Sequence, residues 1–284
     1  MTASIATLVQ AFDAGQTKYS YWRKVPAQTT ASGIWFDLSM STGNPLPNYY
    51  IGPIGVSTAL ARSTDGGIDH GPNVSPLRKV VNRFLVMNQT ATAVPLPWVM
   101  CDYLMFYPFI SQDAGDFALT NSITLPRYPT GAGVQIMPVV TNAQAGGAQF
   151  FVTYTNQAGV SGRTSKTVTC NTQGAPGTIL TTAPATAGAS GPFIPLQAGD
   201  SGVRSIENVT FLSSDVGLFA LVLVRPLLTG HLFDITGPTE IVTVVDRAHP
   251  PIPIVDDAFL GLICCPSGTL SGAPFNGEIE TVWS

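Results

Sequence analysis

The pattern that decides the fold is clearest in Gln149-Phe150-Phe151-Val152-Thr153-Tyr154-Thr155, where Phe150, Val152 and Tyr154 occupy alternate positions. A period of two residues predicts a β-strand with one face in the core. The breakers Asn156-Gln157-Ala158-Gly159 interrupt this strand, and alternation resumes from Thr164 to Cys170. Two alternating runs separated by a loop that contains glycine predict an antiparallel hairpin.

Strand signals of this kind recur through most of the chain. Leu218 to Val224 is apolar at every position, which predicts a central strand covered on both faces. We predict a second strand pair, Ile206–Ser213 and Leu218–Arg225, joined by residues 214–217. Other runs rich in β-branched and aromatic residues lie at 34–38, 84–87, 98–107, 134–140, 240–245 and 259–264. Strands at such intervals predict an all-β fold, an antiparallel sandwich or a jelly-roll-like architecture.

Residues 4–15 carry the one helical pattern. Ser4 is a suitable N-cap, and Gly15 can end the helix. The apolar positions i, i+3, i+4 and i+7 are Ile5, Leu8, Val9 and Phe12. This short amphipathic stripe needs a surface to cover it, either the core of its own domain or a neighbouring subunit.

The chain therefore divides into residues 1–16, an N-terminal helix or arm, and residues 17–284, a β-rich region. Residues 174–191 consist of Gly, Ala, Pro, Ser and Thr around a single apolar dipeptide. This segment is a possible junction, so the sequence leaves open whether the β-rich region is one large domain or two.

The composition is poor in charge and rich in residues that break regular structure. Lys, Arg, Asp and Glu make up 11% of the 284 residues, whereas soluble domains carry roughly 25%. The chain has 28 glycines and 23 prolines, yet 45% of its residues are hydrophobic, which excludes a disordered chain. The net charge of −4 argues against direct contact with nucleic acid. Such a surface favours burial in an assembly.

No targeting or membrane segment is predicted. Met1-Thr2-Ala3-Ser4 lacks the basic residues that begin an export signal, so we expect synthesis in the cytoplasm without a signal peptide. The apolar stretch Val94–Ile110 contains Asp102 and three prolines, which a lipid-facing helix excludes. We therefore expect no membrane contact.

The four cysteines do not form a metal or redox motif. Cys101, Cys170, Cys264 and Cys265 include no C-x-x-C pair, and adjacent cysteines are poorly placed to bind one zinc ion. Each lies in or beside an apolar run. Buried free thiols are the prediction, with structural zinc or a disulfide as the alternatives.

Gly199-Asp200-Ser201-Gly202 matches the four residues around the nucleophile of chymotrypsin-like serine proteases. The next residues, Val203 and Arg204, replace the Gly-Pro of that family. The one upstream histidine, His70, lies in Ile-Asp-His-Gly and not in Ala-Ala-His-Cys. Because the same tetrapeptide is good turn chemistry, we predict that Ser201 belongs to a turn and is not a nucleophile.

Two acidic stretches offer weaker candidates. Asp65, Asp69 and His70 could bind a cation or act as acid and base, but Asp and Gly at this density also form ordinary loops. Asp256-Asp257 lacks the spacing of a calcium loop, so a solvated turn is expected. The chain has no P-loop or dinucleotide motif. We predict no catalytic residue, no metal ligand, no cofactor and no enzymatic activity.

Aromatic residues crowd the first fifth of the chain. They are Tyr19, Tyr21, Trp22, Trp35, Phe36, Tyr49 and Tyr50. Core packing accounts for these residues as well as a sugar-binding or partner-binding face does. The sequence leaves both interpretations open.

Several stretches occur in order between residue 20 and the C-terminus. They are Tyr21-Trp22-Arg23-Lys24-Val25-Pro26; Trp35-Phe36-Asp37-Leu38-Ser39-Met40 with Gly43-Asn44-Pro45 and Asn48-Tyr49-Tyr50; Pro95-Leu96-Pro97 with Cys101-Asp102-Tyr103-Leu104; Tyr154 to Arg163; Ile194 to Ser205; and Cys264-Cys265-Pro266-Ser267-Gly268. Together they resemble a family of structural proteins in tailed bacteriophage virions, of the capsid-associated cement or decoration type. The resemblance implies a place on the particle and a non-catalytic role for the G-D-S-G turn.

These observations favour a capsid cement protein, which bridges subunits of the major capsid protein and stabilises the shell. The expected partners are the major capsid protein and copies of this chain, most simply in a trimer, and the expected location is the capsid surface of the virion. A tail or host-recognition component, whose aromatic residues contact a glycan, is the alternative. An enzyme that uses Ser201 or Asp69 with His70, and a binding module independent of the particle, have less support.

Overall fold

A computed structural model describes residues 5–113, 115–145, 147–172, 174–182, 190–235, 240–243 and 251–284. The helices are α1 (Ile5–Asp13) and α2 (Arg62–Asp65), with 3₁₀ turns at Leu38–Met40 and Ala91–Ala93. The strands are β1 (Thr17–Val25), β2 (Phe36–Asp37), β3 (Thr42–Asn44), β4 (Thr58–Ala59), β5 (Lys79–Asn88), β6 (Leu96–Ser111), β7 (Gly115–Ala118), β8 (Gln135–Ala145), β9 (Gln149–Asn156), β10 (Arg163–Thr164), β11 (Val168–Thr169), β12 (Val203–Phe211), β13 (Val216–Leu232), β14 (Glu240–Thr243), β15 (Pro253–Ile254), β16 (Phe259–Cys264) and β17 (Phe275–Trp283).

The strands form three antiparallel sheets. The terminal sheet has the order β14-β5-β17-β1-β3, with β15 also paired to β5. The central sheet has the order β2-β16-β6-β13-β8, with β4 on β6, and the peripheral sheet has the order β10-β9-β12-β7, with β11 on β9. The fold is all-β with a short N-terminal helix, as the sequence predicts.

One face of the central sheet contacts both other sheets, at different ends of its two longest strands, β6 and β13, and its opposite face packs against residues such as Tyr50 and Ile179. One buried cluster joins Leu104 and Leu221 of these strands to Phe150 of the peripheral sheet. A second joins Trp98 and Leu228 of the same strands to the terminal sheet. The two strands are long and apolar because each packs against the peripheral sheet along one part of its length and against the terminal sheet along another.

The alternating stretch that opens the sequence forms the predicted hairpin. β9 pairs antiparallel with β10 and β11, so that Arg163 lies opposite Tyr154 and Val168 opposite Phe150. Phe150, Val152 and Tyr154 are fully buried. The prediction for Leu218 to Val224 is also confirmed, since β13 lies between β6 and β8.

The second predicted strand pair is wrong. β12 belongs to the peripheral sheet and β13 to the central sheet. Their inward side chains, such as Phe211 and Phe219, meet edge to face across the core at 6.0 Å. Alternation shows which face of a strand is buried, but not whether the next strand lies beside it or opposite it.

The predicted strand at residues 34–38 is shorter than expected. β2 contains only Phe36 and Asp37. The Asp37 carboxylate then accepts a hydrogen bond from the Ser39 backbone N–H and caps the 3₁₀ turn Leu38–Met40. This local side-chain bond competes with strand extension.

The apolar stripe of helix α1 is only partly covered by the rest of the protein. Ala11 is buried, whereas Val9 and Phe12 are 51% and 41% exposed. The helix ends at Asp13, and Gly15 adopts φ +66°, as its predicted role requires. Ser4, the predicted N-cap, lies outside the described residues. Among the described residues, no helix is long and apolar enough to cross a membrane.

Part of the possible junction at 174–191 packs on the central sheet. Gly177 donates to the carbonyl of Val140 at 2.8 Å, and Val140 donates to the carbonyl of Thr178 at 2.9 Å. Ile179 and Leu180 are fully buried. Residues 183–189 lie outside the described ranges, and the number of domains stays a prediction.

Candidate functional site

Within the described parts of the chain, the segment with the most exposed large apolar side chains is the loop of residues 45–55, which we call the contact loop. It connects β3 to the start of β4. Leu46, Ile51 and Ile54 are 78%, 74% and 69% exposed, and Tyr49 is 48% exposed. Several large apolar side chains in one short loop are typical of a surface that another protein covers.

A buried lysine fixes the first part of the contact loop. Lys24 lies on the inward face of β1, and its Nζ donates to the carbonyls of Ser41 at 3.1 Å and Pro45 at 2.8 Å. Longer bonds reach the carbonyls of Ser39 and Leu46, at 3.3 and 3.4 Å. Burial lowers the pKa of this ammonium to about 8. Four backbone acceptors on one side chain restrain the chain that enters the loop.

A buried carboxylate fixes the middle of the loop through Tyr50. Asp37 is fully buried and accepts from the Tyr103 hydroxyl at 2.8 Å and from the Tyr50 hydroxyl. It also accepts from the Ser39 N–H and hydroxyl, at 2.9 and 2.7 Å. Burial raises the pKa of Asp37, and the bonds from Tyr50 and Ser39 oppose that rise. Lys24, Asp37, Ser39, Tyr50 and Tyr103 form the anchor cluster.

The end of the contact loop is tied to the sheets by its backbone. Gly55 donates to the carbonyl of Pro108 at 3.0 Å and accepts from Thr120 at 2.9 Å. The loop is thus restrained at its start, middle and end while Leu46, Ile51 and Ile54 face solvent. A surface held in one conformation loses little entropy when a partner covers it.

The G-D-S-G stretch forms a different polar cluster. Asp200 accepts from Arg163 Nε at 2.9 Å and Nη2 at 3.2 Å, from the Tyr154 hydroxyl at 2.7 Å and from Asn156 Nδ2 at 2.7 Å. The pKa of Asp200 is lowered to about 2, and the hydrogen bonds from Arg163 contribute most to this shift. Tyr154, Asn156, Gln157, Arg163 and Asp200 with Arg204 form the turn cluster.

The same turn is closed by backbone contacts. Gln157 Oε1 accepts from the N–H groups of Ser201 and Gly202, at 3.0 and 3.2 Å. A Cβ at Gly202 would lie 2.0 Å from the carbonyl oxygen of Gly131, so only glycine fits there. Arg204 donates to the carbonyl of Gln157 at 2.8 Å. These contacts match the turn that the sequence predicts for this motif.

His70 does not face Ser201. His70 is buried, with Nε2 2.9 Å from the Ala258 carbonyl and Nδ1 3.1 Å from Lys79 Nζ. Burial lowers the pKa of His70 to about 4, with a further contribution from Lys79. A neutral ring that donates from Nε2 and accepts at Nδ1 satisfies both contacts.

The neighbouring acidic residues bind loops and basic side chains. Asp69 pairs with Lys18 at 3.3 Å and with Arg62 at 3.1 Å. Asp65 accepts from the Ala61 N–H at 3.0 Å at the start of α2. Within the described parts of the chain, no group of three or more His, Cys, Asp or Glu residues could hold a metal ion.

Asp256 and Asp257 join two loops across a turn. Asp256 accepts from the N–H groups of Val74 and Ser75, at 2.8 and 2.9 Å. Asp257 accepts from the N–H and hydroxyl of Ser63, at 2.8 and 2.7 Å. Both carboxylates accept hydrogen bonds from backbone N–H groups of neighbouring loops. This is a more specific role than the solvated turn expected from the sequence.

The four cysteines are free thiols. Cys101, Cys170 and Cys264 are buried, and Cys265 is partly buried. Burial raises the pKa of all four, so the thiol form is favoured.

Some of the N-terminal aromatic residues pack in the core, and others are exposed as a binding face would require. Trp22, Phe36 and Tyr50 are buried in the core. Tyr19, Tyr21 and Tyr49 are about half exposed, at 52%, 47% and 48%. Trp35 is intermediate and packs against a buried cluster.

Sequence reasoning did not single out the buried charges. Lys24 lies on the same inward side of β1 as Ser20 and Trp22. This alternation was the pattern in the sequence that could have identified Lys24 as buried. Asp102 and Arg127 form a second such group, a buried pair with Nη2 2.7 Å and Nε 2.9 Å from the carboxylate oxygens. No local pattern predicts that Arg127 reaches Asp102, because the contact depends on the tertiary fold.

Comparison with known proteins gives little information. No family model matches the chain, and no curated protein matches it. The structure of infectious bursal disease virus Gt strain aligns with 94% of this chain and 80% of its own, at 9% identity and a TM-score of 0.18. A TM-score this low carries no argument about fold or function.

Proposed function

We propose that the protein is a structural component of a tailed bacteriophage virion, and that it acts as a capsid cement protein. In this role the contact loop lies on the major capsid protein and bridges neighbouring subunits. The protein then adds buried contact area that must separate before the shell opens under the pressure of packaged DNA.

The observation that carries the proposal is the restrained, exposed contact loop. Leu46, Ile51 and Ile54 are each more than two thirds exposed, although the anchor cluster holds the adjacent backbone firmly. An apolar loop that serves only its own domain would be expected to turn these side chains inward. The low charge content of the chain supports the same role.

A second apolar surface supports contact between copies. Val9 and Phe12 of α1 stay largely exposed, although Ala11 on the same helix is buried. We propose that a neighbouring copy of this chain covers them, as in a closed homo-oligomer, most simply a trimer. The resemblance to virion proteins supports a repeated contact of this kind.

The test is attachment of variants to particles that lack the protein. Ile51→Glu should weaken attachment at least tenfold because a charge would be buried at the interface, a cost of about 1.4 kcal/mol or more. Val160→Glu is the matched control, since Val160 is 51% exposed on the turn before β10 and lies outside the contact loop. Equal attachment of wild type and Ile51→Glu would contradict the proposal.

A tail or host-recognition component is the second candidate. The specific observation that favours it is the pair of exposed tyrosines, Tyr19 and Tyr21, on β1. Loss of the protein would then block adsorption to the host and leave the heat resistance of the capsid unchanged.

A further inference from the structure

The solvent face of the terminal sheet carries two tyrosines on one strand. Tyr19 and Tyr21 alternate with the buried residues Ser20 and Trp22, so both point away from the core. Their ladder partners on β17 are Glu280 and Glu278, and Arg23 lies opposite Asn276. We call Tyr19, Tyr21, Arg23, Arg83, Asn276, Glu278 and Glu280 the tyrosine face.

Each tyrosine interacts with the residue of β17 that lies two positions before its own ladder partner. The Tyr21 hydroxyl donates to Asn276 Oδ1 at 2.6 Å, two residues before the ladder partner Glu278. Glu278 lies two residues before Glu280, the ladder partner of Tyr19, and this carboxylate raises the pKa of the Tyr19 phenol. The Tyr21 ring is fixed at its hydroxyl end, and both rings remain about half exposed and so present apolar surface to solvent.

The polar groups around the rings are ordered and balanced in charge. Arg83 pairs with Glu278 at 2.9 Å, and Asn82 donates to Glu280 at 2.7 Å. The tyrosine face has two arginines and two glutamates, so its formal charge is zero. Each carboxylate has more acceptor positions than these bonds use.

This chemistry fits a neutral saccharide better than the other occupants. A sugar ring offers C–H groups to an aromatic face and hydroxyls to carboxylate, amide and guanidinium groups. An anionic polymer would need a net positive surface. The centre of a protein interface is depleted in charge, whereas the Arg83–Glu278 pair adjoins both tyrosines.

We propose that the tyrosine face binds a neutral oligosaccharide, with Tyr19 and Tyr21 as the stacking surface and Glu278, Glu280 and Arg23 as hydrogen-bonding groups. This site goes beyond the cement function, because it uses different residues from the contact loop. A protein attached to a capsid through one surface would thereby carry a glycan-binding surface as well.

The test is isothermal titration of the full chain with maltohexaose, cellohexaose, xylohexaose and hexa-N-acetylchitohexaose, and with hexagalacturonate as the anionic comparison. At least one neutral oligosaccharide should bind, and more tightly than hexagalacturonate. The double variant Tyr19→Ala/Tyr21→Ala should weaken that binding by about tenfold or more, in line with the loss of two aromatic contacts.

Matched variants separate the site from general effects. Tyr49→Ala removes an equally exposed tyrosine from the contact loop and should leave saccharide binding unchanged. Tyr19→Phe/Tyr21→Phe keeps the ring faces and should retain more affinity than the alanine variant. Thermal melting of each variant checks that the sheet is intact.

Three results would overturn the proposal. They are binding of none of the neutral oligosaccharides, equal or tighter binding of hexagalacturonate, and unchanged affinity in the double alanine variant. If the double variant lost attachment to capsids and no oligosaccharide bound, the tyrosine face would be a protein interface. The Ile51→Glu experiment is independent, so failure of one proposal does not imply failure of the other.

Discussion

The anchor cluster and the turn cluster each centre on an aspartate that accepts four hydrogen bonds. The pKa values of the two carboxylates are nevertheless shifted in opposite directions. Asp37 is bound by neutral donors and is fully buried, and burial raises its pKa. Asp200 is bound by a bidentate arginine, and its pKa falls to about 2. The charge of the partner therefore decides the direction of the pKa shift, since the Asp200 side chain is itself only 3% exposed, and the number of hydrogen bonds does not.

The comparison also separates two uses of polar residues in an all-β chain. The turn cluster closes a loop at the end of the β9 hairpin, and its arginine remains 27% exposed. The anchor cluster lies beneath an exposed apolar loop and restrains it from within. Only the anchor cluster is connected to the surface that we propose binds the capsid.

The largest expected effect is the loss of Asp37. Asp37→Ala should lower the free energy of unfolding by about 3–5 kcal/mol, because two tyrosine hydroxyls and the Ser39 hydroxyl would stay buried without their acceptor. Asp200→Ala should cost less, since Arg163 can turn to solvent. Urea denaturation of both variants measures the difference, and an equal or larger loss for Asp200→Ala would contradict the comparison.

As the pH falls, the protein should lose stability through the buried His70 before it loses stability through Asp200 of the turn cluster. The pKa of His70 is lowered to about 4, so the unfolded chain binds the proton first as the pH falls below about 6.5. The folded state should lose about 2.5 kcal/mol of stability between pH 6.5 and pH 4 through this residue. Asp200, with a pKa of about 2, should keep its charge over that range and contribute to stability until lower pH.

His70→Gln is the control, because glutamine keeps one donor and one acceptor but does not titrate. The groups that face His70 are Lys79, Asp69 and Arg62. Urea titrations at successive pH values should show a shallower loss of stability for His70→Gln. Identical slopes in the two proteins would rule out a buried neutral histidine.

Alkali should reveal the buried lysine. Since the pKa of Lys24 is lowered to about 8, the folded state releases this proton more readily than the unfolded chain. Stability should therefore rise by about 2 kcal/mol between pH 8 and pH 10 through this group. The cysteines oppose this gain over the same pH range, because burial raises the pKa of all four thiols. Above pH 10 the tyrosines oppose it as well, because burial raises the pKa of Tyr50 and Tyr103.

Lys24→Met should remove this contribution, so that stability between pH 8 and pH 10 changes less favourably than in the wild type by about 2 kcal/mol, and should release the contact loop. Protease cleavage within residues 45–55 should become faster in Lys24→Met, whereas Lys18→Met, which alters a lysine that is 42% exposed, should leave the loop resistant. Resistance of the loop in Lys24→Met would show that the ammonium does not restrain it.

The smallest expected effect belongs to the protease-like motif. Ser201→Ala should change the free energy of unfolding by less than about 0.5 kcal/mol, because the turn uses the backbone N–H of this residue. A serine-reactive phosphonate should not label Ser201. Labelling that His70→Ala abolishes would restore the enzyme hypothesis.

The sequence predicts the strands better than their partners. Alternation at Phe150, Val152 and Tyr154 and the apolar run Leu218 to Val224 identify a hairpin and a central strand, because burial of one or two faces determines both patterns. The strands that end at Phe211 and begin at Val216 could not be assigned to different sheets, since the short segment between them suits either arrangement.

The candidate site was only partly predictable for the same physical reason. The G-D-S-G turn follows from local backbone chemistry, which the sequence contains. The contact loop appears in the sequence only as a proline-punctuated segment. Its restraint by Lys24 and Asp37 depends on contacts between distant strands, as does the pairing of Asp102 with Arg127.

The most direct test of the central claim is the number of copies of this protein in each purified virion. Quantitative mass spectrometry against the major capsid protein gives this number. A cement protein follows the capsid lattice, so the account predicts a copy number comparable with that of the major capsid protein. A few copies to a few dozen copies, found on isolated tails, would contradict the cement function and favour host recognition.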